Sequence, residues 1–137
     1  KSVTSESGAI ATSIYLAKSG KLRITSAGSW ERGAGLSSEI SITVNPRLNI
    51  VAPTSAKAGT AFKVIVAAAP TTAGTQVALR RFDGKVWNTV SLLPLLASGT
   101  ELSQNELIRG IYSYRVLVFN SADSTESTSA PFTVVVR

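Results

Sequence analysis

The chain has 137 residues, 44% of them apolar and only 16% charged, with a net charge of +6 and no Cys, His or Met. That length allows at most two small domains, and the missing thiols and imidazoles exclude disulfide-stapled scaffolds, Cys/His zinc centres and His- or Cys-dependent nucleophiles. The positive charge is spread along the chain and no reading motif accompanies it, so it favours diffuse attraction to anionic polymers over nucleic-acid recognition.

The Ser, Thr, Ala and Gly that stand in place of charge suit extracellular β-domains. The lack of Met at position 1 predicts a processed or excerpted chain of a secreted or cell-surface protein. No apolar run reaches the roughly 18 residues of a membrane helix, so membrane insertion is not expected. Turn residues recur at short intervals between β-branched runs, which reads as an all-β chain.

In chain order, Ala9–Leu16 reads as a strand with Ile10, Thr12, Ile14 and Leu16 on one side. Gly20 opens a second strand carrying Leu22 and Ile24. The loop 27–35 follows, with Trp30 beside Arg32. Its Gly33-Ala-Gly35 run opens no helix and no Walker lysine follows, so it is a hairpin loop and not a phosphate cradle. Ile40, Ile42 and Val44 share a face of the next strand.

Leu48–Ala52 lies between Pro46 and Pro53, and 61–69 places Phe62, Val64 and Val66 together. In Thr75–Phe82, Val77 and Leu79 point inward. Asp83-Gly84 is a two-residue hairpin signal leading into Lys85–Val90, which carries Trp87. Leu92–Ala97 contains Pro94 and reads as an edge strand or bent crossover. Ser103–Ile108 is the best helix candidate, about one turn long. Ile111–Phe119 sets Tyr112, Tyr114, Val116 and Val118 on one face, and Phe132–Arg137 does the same with Phe132, Val134 and Val136. These make about seven strands over residues 46–137, the size of an antiparallel immunoglobulin-like β-sandwich.

Residues 1–45 read as the C-terminal half of a second, similar domain. Aligning Gly20 with Gly110 sets Leu22 on Tyr112 and Ile24 on Tyr114, and aligning the end strands sets Ile40, Ile42 and Val44 on Phe132, Val134 and Val136. Half a sandwich exposes a core face. The missing sheet could precede Lys1, come from another subunit in a homo-oligomer, or be replaced by packing on residues 46–137.

Candidate chemistry is sparse. No carboxylate pair has a catalytic setting: Glu101 with Glu106, and Asp123 with Glu126, read as solvated turn acids. A Ser–Lys dyad has no motif around it, and neither a metal nor any other cofactor is expected. Trp87 with Arg81, and Trp30 in its loop, are candidates for contacting a polysaccharide or another ligand. Phe82, Leu117, Phe119 and Val135 alternate away from the inward residues and predict an apolar outer patch, the usual mark of a protein interface. Lys63 and Asn120 are the nearest candidates for an isopeptide crosslink, but Lys63 has outward parity.

Gly110-Ile-Tyr-Ser-Tyr-Arg-Val resembles the G-x-Y-x-Y-R-V strand of bacterial extracellular immunoglobulin-like repeat domains. The run Val77-Ala-Leu-Arg-Arg-Phe-Asp-Gly-Lys-Val-Trp-Asn-Thr-Val is similar to their V-x-L-x-R…G-K-W-x-x-V hairpin. With the closing Thr133-Val-Val-Val, the resemblance covers residues 46–137 and part of 20–45. It implies a spacer or an adhesive, structural module of a cell-surface protein whose partners are neighbouring repeats or subunits. It also implies a tyrosine corner at Tyr112, where the first segment has Leu22.

Overall fold

The computed structural model describes residues 10–70, 72 and 74–137, and every regular element among them is a β-strand. The first four strands are short: β1 (Gly20–Leu22), β2 (Thr25–Ser26), β3 (Gly35–Leu36) and β4 (Ile40–Ile42). They form two antiparallel ladders, β1 with β4 and β2 with β3, one continuing the other along a single hairpin. Ile10–Leu16 has no strand, contrary to the alternation there, and Ala9 lies outside the described residues. No described strand pairs with that stretch, and alternation without a ladder leaves the backbone groups to water.

The remaining elements are β5 (Arg47–Val51), β6 (Ser55–Ala56), β7 (Phe62–Ala69), β8 (Gln76–Phe82), β9 (Trp87–Pro94), β10 (Thr100–Gln104), β11 (Gly110–Val118), β12 (Ser127–Thr128) and β13 (Phe132–Val136). A three-stranded antiparallel sheet runs β10-β7-β5. A larger sheet runs β6-β13-β11-β8-β9, with β12 also on β11. Only the β6–β13 pair within it is parallel.

The two sheets share one core. Phe62, Val64 and Val66 come from β7, Leu102 from β10, Val77 and Leu79 from β8, Tyr114, Val116 and Val118 from β11, and Val134 from β13. The Phe62 and Tyr114 rings meet edge to face at 5.6 Å, crossing from one sheet to the other. Leu102 apart, these are positions that strand alternation assigned inward.

Three local expectations are corrected. Ser103 and Gln104 end a strand, and the described residues contain no helix. β10 pairs with β7 over its whole length and buries Thr100 and Leu102, so cross-strand pairing overrides the weak local preference. Lys85–Val90 and Leu92–Ala97 are not two strands: β9 runs from Trp87 to Pro94, with a bulge. Leu79 faces Ser91 while Arg80 faces Thr89, so Val90 is the extra residue. The bulge shifts the parity and hides the continuity of the strand. The hairpin at Asp83-Gly84 has a four-residue loop. Asp83 Oδ1 accepts from the backbone N–H of Lys85 and Val86, each at 2.8 Å, and Gly84 supplies the positive φ of +100°.

Candidate functional site

Two arginines adjacent in sequence point to opposite faces of the larger sheet. Arg81 faces inward. Its guanidinium lies 2.7 and 2.9 Å from the two carboxylate oxygens of Glu106 and 5.8 Å from the centre of the Tyr112 ring. Tyr114 Oη and Gln104 Nε2 also donate to Glu106, at 2.7 and 3.0 Å. Burial acts to raise the Glu106 pKa, but these donors outweigh it and hold the carboxyl below its ordinary range. Burial and the neighbouring carboxylate push the Tyr114 phenol up. The expectation of a solvated turn acid at Glu106 is therefore corrected. It is a buried carboxylate tying β8, β11 and the end of β10 together, with its oxygens occupied by protein donors. Glu101 sits apart on the surface, paired with Lys63 at 2.6 Å.

Arg80 faces outward. On that face Trp87 is the register partner of Phe82, and Arg80 that of Arg115. The Phe82 and Trp87 rings are 5.1 Å apart, the Arg115 guanidinium lies 4.5 Å over the Trp87 ring, and Arg80 donates to the Trp87 carbonyl at 2.5 Å. Trp87 and Arg81 are thus not brought together. The arginines beside Trp87 are Arg80 and Arg115, and the ring is stacked against protein groups, so it offers no free platform. Alternation could have named Arg80 and Arg115, since each has outward parity on its strand. Which residues face each other across strands was not readable.

Trp30 lies far from this cluster in sequence. It is 92% exposed beyond the β2–β3 ladder, in a turn closed by Ser29 N–H donating to the Arg32 carbonyl.

The apolar outer patch is not continuous. Leu117 is only 9% exposed, facing Ala78 on one side and Thr128 on the other. Val135 faces Ile111, six positions away along β11, which at about 3.3 Å per residue is on the order of 20 Å. Phe119 lies past the end of β11, where its N–H reaches the Gln76 carbonyl. Phe82 is 38% exposed and leans on Trp87. Arg80 and Arg115 lie between Phe82 and Leu117. Elsewhere, a cleft of about 600 Å³ opens between β5 and the 127–132 segment. Leu48, Ile50 and Phe132 line it, and Arg47 is its one titratable residue.

Residues 18–45 meet residues 119–125 through backbone bonds. Ser19 N–H donates to the Asp123 carbonyl at 2.7 Å, and Thr125 N–H donates to the Val44 carbonyl at 3.1 Å. Lys18 pairs with Asp123 at 3.1 Å, and Thr125 Oγ1 donates to Asn45 Oδ1.

No family model and no curated protein matches this chain. A chain from a solved structure on T cell specificity and activation by the bacterial superantigen toxic shock syndrome toxin-1 is similar over 68% of this chain and all of its own length, with a TM-score of 0.50 and 12% identity. That likeness is one of fold.

Proposed function

We propose that the chain is a non-catalytic structural or adhesive module of a secreted or cell-surface protein. On this reading residues 46–137 are one complete immunoglobulin-like sandwich and residues 1–45 are the closing half of a preceding repeat. The observation that carries it is a similar ladder, antiparallel and starting from a glycine in both places: Gly20 faces Ile42 in β1–β4, and Gly110 faces Val136 in β11–β13, two residues beyond the Val134 that the alignment sets on Ile42. The backbone bonds from Ser19 and Val44 to the 123–125 loop join the two units as successive repeats would be joined. The Tyr112 hydroxyl, 2.8 Å from the Ile108 carbonyl, speaks for the tyrosine corner. Function then comes from stacking repeats and from contacts with neighbouring repeats or subunits.

Light scattering over a concentration series tests this. The full chain should self-associate as concentration rises, through the exposed Ile24 and Ile40, while residues 46–137 alone stay monomeric. A full chain that stays monomeric, with the β1 and β4 amides strongly protected from hydrogen exchange, overturns the half-repeat reading.

A further inference from the structure

Arg80 and Arg115 are register partners on neighbouring strands, so two like charges stand directly opposite each other. That arrangement is destabilising unless an opposite charge lies near. The ion pairs among the described residues lie elsewhere: Lys18 with Asp123, Lys21 and Arg23 with Glu39, Lys63 with Glu101, and Arg81 with Glu106. The Nε atoms of both Arg80 and Arg115 are buried without an acceptor. Trp87 fixes the pair from both sides, since its ring lies under Arg115 and its carbonyl accepts from Arg80. Little side-chain order is then left to lose on binding.

We propose that the Arg80–Arg115 pair is an oxyanion site that takes a carboxylate or sulfate group carried by an acidic polysaccharide. Two planar guanidinium groups suit the paired oxygens of such groups. Thr89, the register partner of Arg80, adds an exposed hydroxyl on the same face, within reach of a sugar's own hydroxyls. Single-stranded nucleic acid fits less well. Base stacking needs a free aromatic face, and Trp87 and Phe82 lean on each other beneath Arg115. Recognition here is by charge, with the tryptophan acting as a brace.

The test uses the full chain carrying Trp30→Phe, so that Trp87 is the sole tryptophan reporter. It is titrated with polygalacturonate, dextran sulfate and neutral dextran. A saturable change in Trp87 emission with either acidic polymer and none with neutral dextran is expected, and the two acidic arms tell carboxylate from sulfate. Calorimetric titration should show Arg80→Gln or Arg115→Gln raising the Kd at least tenfold, and Lys63→Gln on the smaller sheet changing it less than twofold. Where a Gln variant does not fold, Arg115→Lys replaces it, and a threefold or larger loss is expected because the charge stays but the planar fork is gone. Absence of binding to both acidic polymers overturns the site. So does an equal loss in Lys63→Gln and Arg115→Gln, which would assign the attraction to the general +6 charge.

Discussion

In β1–β4, Gly20 faces Ile42 and Leu22 faces Ile40; in β11–β13, Gly110 faces Val136 and Tyr112 faces Val134. The two ladders share a pattern and run antiparallel from a glycine. Yet Ile40 is 60% exposed and Val134 is fully buried. The difference is not in the strands themselves. β11 and β13 have β7 and β10 across the core from them, whereas β1 and β4 have no such sheet among the described residues. A ladder supplies hydrogen bonds. Burial, which provides most of the favourable free energy of folding, has to come from a facing sheet.

The comparison can be pressed hardest at Leu102, a fully buried side chain from the smaller sheet. Leu102→Ala should destabilise the chain by about 2–5 kcal/mol in urea denaturation. A loss as small as that of a surface substitution would mean that the facing sheet is not what separates the two regions. Next in size is Glu106→Gln, which leaves Arg81 and Tyr114 without their ionised partner and should cost about 1–3 kcal/mol. Its pH signature has a definite sign. The folded pKa of Glu106 lies below its unfolded value, so its contribution is fully present above the ordinary Glu pKa of about 4.3 and is lost as pH falls through the folded value. Melting temperatures measured downward from pH 6 should fall more steeply for the parent than for Glu106→Gln, and parallel curves would remove Glu106 from the acid response. Smallest is Ile40→Ala in the open ladder, which should change stability by no more than about 0.5 kcal/mol at concentrations where the chain is monomeric. A larger loss would show that Ile40 is already covered.

How much of this was legible depends on where each signal resides. The alternation of Phe62, Val64 and Val66, or of Tyr114, Val116 and Val118, is contained within single strands, so the core could be read off directly. Thr100–Gln104 has one apolar residue, Leu102, in a polar run, and only its pairing with β7 makes it a strand. The two-residue strands β6 and β12 are too short to carry a pattern. Glu106 was misread because the groups that bury it, Arg81, Tyr114 and Gln104, sit on three strands and converge only in space. The outer face was half legible. Alternation of Trp87 with Thr89, opposite Val86 and Val90, puts Trp87 there, but its arginine neighbours depend on cross-strand register and on the bulge at Val90, neither of which is written in local sequence.

The parallel pairing of β6 with β13 has a mechanical consequence. Val135 N–H bonds the Thr54 carbonyl, Arg137 N–H bonds the Ala56 carbonyl, and Ala58 N–H bonds the Arg137 carbonyl. Tension drawn between Arg47 and Arg137 pulls these two parallel strands lengthwise past each other, so that the bonds are loaded in shear together instead of being peeled open one after another. Both ends of residues 47–137 are thereby held by bonds that a pull along that line loads together, and the rate of rupture under load, more than equilibrium stability, measures what that short strand contributes.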